Sequence, residues 1–243
     1  MALTIPSLSL SRSETLTEMA EAAIRQALMS GVFLPGQTIT MRALATSLGV
    51  SVTPAKDAMS RLVAERILQT GPRRSAVVPL LSKESIREIY VIRLSLETTA
   101  AERGAMNSGI KDVKSLSDIA KRLADAMKEG DYKAVLRYNK DFHFFLYEKS
   151  EMPILVGMIE GLWLRLGPSM NLLYSQQPKT LQERAGVGYH DELIEAFRKG
   201  DTEGVKRAID LDLSAGRDRL EEATSYWEIA RPLRDAIPGI SLA

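Results

Sequence analysis

The stretch that most constrains this chain is Pro35 to Leu68, PGQTITMRALATSLGVSVTPAKDAMSRLVAERIL. Its apolar residues recur at helical spacing twice, as Leu44, Ala45 and Leu48 and then as Ala58, Leu62 and Ile67. That spacing puts each set on one face of a helix. The first set predicts a helix over Met41 to Leu48, the second a helix from Thr53 to about Ile67, and Gly49-Val50 a tight turn between them. Thr53 can cap the free amides of the second helix, and Pro54 suits the first helical position, where its missing N–H costs nothing. Two short helices on a Gly turn make a helix-turn-helix. The second helix of such a unit lies in the DNA major groove, its N-terminal residues toward the base edges. An ordinary helical hairpin packed in a core gives the same pattern, so the flanking segments decide between them.

Residues 1–13 are Ser-rich without a strong period and read as an arm. A helix follows over about 14–30, with Leu16, Met19, Ala20, Ala23, Ile24 and Leu28 on one face. Pro35-Gly36 marks a turn before the helix-turn-helix. After it, QTGPRRSAVVPLL gives two extended pieces around a basic tip, a β-hairpin placed as a wing. Arg73 and Arg74 at the tip would meet phosphates or the minor groove. A solvated turn with two arginines is the plainer alternative.

From Ser82 to Tyr226 the pattern is helical almost throughout, with predicted helices over 85–107, 111–129, 132–149, 153–173, 180–199 and 202–226. Short links between long helices imply an antiparallel bundle. Residues 227–243, with Pro232 and Pro238-Gly239, read as a tail. The fold expected is therefore mainly α: a winged helix-turn-helix over 14–81 and an all-α bundle over 82–226. The chain of 243 residues is 45% apolar and 26% charged, enough to bury a core in each part. Charge divides unevenly. Residues 1–82 carry eight Lys/Arg against five Asp/Glu, and residues 83–243 carry 24 against 26. A basic head on a slightly acidic body suits DNA binding by the head. No apolar run is long enough to span a membrane, and the start lacks a signal-peptide pattern. The absence of cysteine excludes thiolate sites and disulfides and fits the cytoplasm.

Four stretches carry a family resemblance: Leu34-Pro35-Gly36, Leu44-Ala45-Thr46-Ser47-Leu48-Gly49-Val50-Ser51-Val52-Thr53-Pro54, Ile92-Arg93-Leu94-Ser95-Leu96-Glu97, and Phe142-His143. With the layout of helix, turn, helix-turn-helix, wing and bundle, they resemble the GntR family of bacterial transcription regulators, the bundle looking like the FadR-type effector domain called FCD. The chain departs from the family at the recognition helix, where Ser-Arg-Thr-Pro-x-Arg-Glu-Ala is usual. Val52 replaces the first Arg, Lys56 the second and Asp57 the Glu. Arg can grip a guanine with two donors, Lys offers a point charge, and Val can meet only a thymine methyl. The wing's usual Arg-Gly reads Arg74-Ser75, and the Glu-Gly before it reads Glu65-Arg66. Candidate DNA contacts are Arg42, Ser51, Thr53, Lys56, Arg61, Arg73 and Arg74.

The only two histidines, His143 and His190, fall in predicted bundle helices. Asn139 precedes His143 by one turn on the same face. His190 lies ten residues before Gly200 and Asp212 twelve after it, so a hairpin turning there brings them level. In the family resembled, many FCD domains hold a divalent metal through Asp-x3-His and one His on each of the last two helices. Here the corresponding set is Asn139, His143, His190 and Asp212, whose donors suit Zn, Ni, Mn or Fe. Two core histidines satisfied by hydrogen bonds are the alternative. Arg93 faces the cavity in that family and could clamp a carboxylate; a surface pair with Glu97, four residues on, is the other reading. Arg137, Tyr138, Trp163, Arg165, Met170 and Asn171 are further candidates to line an effector pocket, with Arg93, Arg137, Arg165 and Asn171 as the contacts, or simply to fill the core.

The resemblance implies a homodimeric repressor that binds double-stranded operator DNA, controlled by a small organic acid, a carboxylate effector, in the bundle. Two other classes stay open: a metal-dependent all-α enzyme, against which no nucleophile–base pair is visible, and a DNA-binding protein with a purely structural bundle.

Overall fold

The computed structural model describes residues 15–175 and 187–236. They form two compact units. One comprises the described residues up to Leu81 together with Trp163–Asn171; the other comprises Ser82–Leu162 and the described residues from Leu172 on.

In the N-terminal unit, α1 (Leu16–Met29) opens on a capping box. The Thr15 hydroxyl accepts from the Glu18 amide at 3.2 Å, and the Glu18 carboxylate accepts from the Thr15 amide at 2.9 Å. Two orphan donors at the helix start are thus satisfied. β1 (Thr38–Thr40) leads into α2 (Met41–Leu48), which Thr40 caps and Gly49 ends at φ 69°. α3 follows over Val52–Ala64. β2 (Gln69–Gly71) and β3 (Ser75–Val77) form the hairpin, and β1 adds to β3, giving an antiparallel sheet of order β1-β3-β2. Thr38 and Gln69 both pair with Val77, on its two sides. The core gathers Ile24, Leu28, Phe33, Ile39, Leu44, Leu48, Met59, Leu62, Leu68 and Val78.

The structure corrects both ends of α3. The helix begins one residue after Ser51, not at Thr53-Pro54, so Pro54 sits within the first turn, where an N–H has no intrahelical partner in any case. It ends at Ala64 rather than near Ile67, because Arg66 turns left-handed at φ 58°. The Arg66 amide then donates to the Val63 carbonyl and the Ile67 amide to the Leu62 carbonyl, both at 2.9 Å. This is the Schellman closure, with Arg66 where glycine is favoured. It carries Ile67 and Leu68 into the core.

Trp163–Asn171 were expected in the bundle. They belong to the N-terminal unit instead, where Leu164 is fully buried in its core. Gly167 allows the approach: a Cβ there would lie 2.6 Å from the Leu28 carbonyl oxygen.

The C-terminal unit contains α4 (Lys83–Asn107), α5 (Ile110–Glu129), α6 (Tyr132–Glu148), both ends of α7 (Pro153–Ser175), α8 (Val187–Lys199) and α9 (Thr202–Ala236). α4 packs on α6 and α9, α5 on α6 and α8, and α8 on α9. The α8–α9 hairpin turns at Gly200, φ 65°, where the Asp201 carboxylate accepts from the Gly204 amide at 2.9 Å. Gly104 on α4 lies against the Leu146 carbonyl of α6, with no room for a Cβ. This contact fixes how close those two helices run. The expected stop near Tyr226 is also corrected: α9 continues through Pro232 to Ala236. A proline inside a helix removes one ladder bond and crowds the carbonyl four residues back, yet its neighbours Ala230, Arg231, Leu233 and Arg234 favour helix on both sides. The expected helix start near Thr180 lies outside the described residues.

Candidate functional site

The surface of α3 divides cleanly. Pro54, Ala55, Ala58, Met59 and Leu62 are buried, whereas Val52, Thr53, Lys56, Asp57 and Ser60 are exposed. The exposed set follows the spacing of one helix face, at the N-terminal half of the helix. Ser51, Arg42, Arg73 and Arg74 are also exposed. The wing tip holds Arg73 and Arg74 at φ 51° and 58°, both left-handed, and the Ser75 hydroxyl closes the turn onto the Pro72 carbonyl at 2.6 Å. Arg61 is exposed but engaged: its guanidinium lies 3.2 Å from Glu21, beside an Arg25–Glu65 pair at 2.6 Å. Position on the second half of α3 and a carboxylate partner set it apart from the other candidates.

In the C-terminal unit, α6, α8 and α9 bring His143, His190 and Asp212 together. Their ligand atoms all lie within 4.8 Å of one another, and all three residues are buried. His143 Nε2 is 3.3 Å from one Asp212 oxygen, and His190 Nε2 is 3.6 Å from the other. Among the described residues His190 Nε2 is buried without a hydrogen-bond partner. The Phe142 ring packs on His190 at 4.3 Å and on His143 at 5.6 Å, walling the cluster. Asn139 is half-buried, one turn before His143 on α6.

Burial drives the His190 ring toward its neutral form, with its pKa lowered to about 4; Asp212 opposes this, while His143 and Arg219 add to it. For Asp212, burial works to raise the pKa. The hydrogen bond from His143 and the nearby His143, His190 and Arg219 outweigh it, bringing the value to about 2. The cluster at neutral pH is therefore an ionised carboxylate beside a neutral imidazole, with a second imidazole on the first oxygen.

A second layer stands behind His143. Its Nδ1 is 3.2 Å from the Tyr147 hydroxyl, which donates to Glu97 at 2.5 Å. Glu97 in turn takes Arg93 Nε at 2.6 Å and Nη2 at 3.2 Å. The Arg93 guanidinium also stacks over Tyr90, 4.8 Å from the ring centroid. The surface reading of Arg93 is corrected. The pair with Glu97 forms, but at 4% and 0% exposure it is an interior pair, and the fork expected to grip an effector grips Glu97. Burial works against the Arg93 charge, and Glu97 and Tyr90 more than offset it, holding its pKa above the ordinary arginine value.

Comparison with known proteins decides the family. Residues 16–78 match the bacterial regulatory proteins of the gntR family and residues 88–215 match the FCD domain. The chain belongs to the GntR family, with an FCD domain as its C-terminal part. The HTH-type transcriptional regulator McbR of Escherichia coli strain K12 is 33% identical over 196 residues, 80% of this chain and 88% of that protein. The gluconate operon transcriptional repressor of Bacillus licheniformis is 32% identical over 226 residues, 90% of each. A solved structure of E. coli McbR/YncC superposes with a TM-score of 0.81 at 30% identity, covering 86% of this chain and 98% of that one. The chain is thus a GntR-family transcriptional regulator, and the enzyme reading gives way. Among the described residues no helix is long and apolar enough to cross a membrane.

Membership sharpens which candidates matter. Arg93 lies three contacts from His143, through Glu97 and Tyr147. Arg137 is exposed and stacks on Tyr138 at 4.6 Å. Arg165 and Asn171 belong to the N-terminal unit, where their side chains donate to the Glu65 carbonyl at 2.8 Å and the Phe33 carbonyl at 2.7 Å. Helical spacing put them on a pocket side; backbone carbonyls of the other unit claim them. Glu97 as an interior acceptor and Tyr147 at all were missed. Tyr147 follows His143 by one turn on the same face, a signal the sequence did carry.

Proposed function

We propose that this GntR-family protein is a cytoplasmic, homodimeric repressor whose operator affinity is set by a small organic acid bound at a divalent metal in the FCD domain. The supporting observation is the convergence of two imidazole nitrogens and a carboxylate at a buried point, one of those nitrogens, His190 Nε2, having no hydrogen-bond partner among the described residues. A buried polar atom left unpaired is costly unless something satisfies it. His143, His190 and Asp212 therefore fit a divalent cation, and Asn139 is the fourth candidate ligand. N,O donors of this kind suit Zn, Ni, Mn or Fe. A bound cation would supply positive charge on which an acid's carboxylate can be seated. His190 is neutral and Asp212 ionised at neutral pH, so neither ligand must first lose a proton.

On the DNA side, a dimer would set two α3 helices one helical turn apart on a palindromic operator. Thr53, Lys56 and Ser51 would meet base edges or nearby phosphates, with Arg42, Arg73 and Arg74 on the backbone and minor groove. The acid must bind the operator-competent and released arrangements with unequal affinity, or it shifts nothing. Elemental analysis of protein purified and reconstituted with each metal tests the centre. The expected result is stoichiometric metal, lost in His190→Ala. Metal-free protein that still releases operator on adding acid would sink the metal part of the proposal.

A further inference from the structure

We infer that Tyr147, braced by Glu97 and Arg93, is the positioning residue that fixes the His143 tautomer, keeping the hydrogen on Nδ1 and leaving Nε2 as the donor turned toward Asp212. The hydrogen bonds assign themselves in sequence. Arg93 donates to both oxygens of Glu97, at 2.6 and 3.2 Å. A carboxylate gripped in this way accepts and has no proton to give. The Tyr147 hydroxyl, 2.5 Å from that carboxylate, must therefore donate to it. A phenol has one hydrogen. Having given it to Glu97, Tyr147 can only accept at its contact with His143 Nδ1, 3.2 Å away. Nδ1 thus carries the ring hydrogen. In the neutral ring Nε2 then presents its lone pair to an Asp212 oxygen 3.3 Å away, and only a ring with hydrogens on both nitrogens can also donate to Asp212.

A lone pair facing a carboxylate is repulsive unless positive charge lies between them. A second proton on the ring or a metal ion meets that need. Without Tyr147 the ring has a cheaper solution: it moves its hydrogen to Nε2 and bonds Asp212 directly, which withdraws both groups from a metal. The chain of Arg93, Glu97 and Tyr147 blocks that escape. Its rigidity is built in. Arg93, Glu97 and Tyr147 are all buried, and the helices that carry Glu97 and Tyr147, α4 and α6, cross closely at Gly104 and Leu146. Outer-layer partners of a metal-binding imidazole are worth about 10–100-fold in metal affinity.

The affinity part of this inference rests on the metal reading above; the tautomer part does not, and two measurements keep them apart. Long-range proton–nitrogen correlation spectra of histidine-15N-labelled, metal-free protein distinguish the two neutral tautomers from each other and from the doubly protonated ring, with His143→Gln assigning the signal. Wild type is expected as Nδ1–H, and Tyr147→Phe as Nε2–H. Competition with a chromogenic chelator then gives Zn2+ affinity, expected to fall by about 10–100-fold in Tyr147→Phe with far-UV circular dichroism unchanged. A wild-type ring carrying its hydrogen on Nε2 overturns the inference without any variant, as does an Nδ1–H signal that survives in Tyr147→Phe. If wild type takes up no Zn2+, the metal reading fails, and a tautomer switch in Tyr147→Phe still upholds the role assigned to this residue.

Discussion

His190 gives the most quantitative prediction. Its ring is 3% exposed and held neutral, with a pKa of about 4 where an unfolded chain's histidine titrates near 6.5. Between those values the unfolded chain binds a proton that the folded chain refuses, so stability must fall as pH falls from about 6.5 to about 4. Each pH unit of that window is worth about 1.4 kcal/mol, so the loss amounts to about 3 kcal/mol for this one group. Asp212 adds a second, lower window. Its folded pKa of about 2 is depressed from 3.8, so its contribution is present above the unfolded value and is lost as pH falls through that range. The assay is urea denaturation of chelator-treated protein at half-unit pH steps, following the helical signal of the FCD domain, for wild type and His190→Leu. The variant should lose the slope between pH 6.5 and 4 while keeping a fall below pH 4, to which Asp212 contributes. Equal slopes in the two proteins over the upper window would refute the claim that burial holds His190 neutral.

Four further outcomes follow from named contacts. Arg66→Gly should stabilise the N-terminal unit by about 0.5–1 kcal/mol, because a left-handed residue with a Cβ is strained at φ 58°, whereas Arg66→Ala should not; thermal melts compare them. Gly167→Ala should destabilise the same unit by about 1–3 kcal/mol, since its Cβ would meet the Leu28 carbonyl oxygen at 2.6 Å and backbone cannot step aside cheaply; urea midpoints measure it. Lys56→Ala should weaken operator binding and reduce the slope of log affinity against log salt by about 1, as expected for one lost phosphate contact, read by fluorescence anisotropy across salt concentrations. Removing metal from a reconstituted protein should lower its melting temperature, because about 2.7 kcal/mol of stabilisation accompanies a ligand held at 100 times its Kd.

Much of this molecule could be read from sequence, and the failures share a cause. Helix positions followed from apolar spacing and from Gly49 and Gly200, which end helices at positive φ. The meeting of His190 with Asp212 followed from counting residues on either side of Gly200, because a tight antiparallel hairpin leaves little freedom in register. The C-terminus of α3 did not follow, since Arg66 takes a conformation its side chain disfavours and only the packing of Ile67 and Leu68 compels it. Trp163–Asn171 misled for a related reason: the periodicity of α7 shows that a face is buried but not which unit buries it. Arg93 and Glu97 could be paired from i,i+4 spacing, yet spacing is silent on burial, and burial turns a surface ion pair into the brace behind His143.

The central claim is that an acid seated at a metal controls DNA binding. Its most direct test is operator release, with an operator selected from random DNA by the protein itself. Fluorescence anisotropy is recorded while a panel of small organic acids is titrated into metal-loaded protein, metal-free protein and His190→Leu. The account predicts that at least one acid releases operator from the metal-loaded protein at concentrations that leave the other two bound. Equal release from all three, or release from none by any acid in the panel, would contradict it.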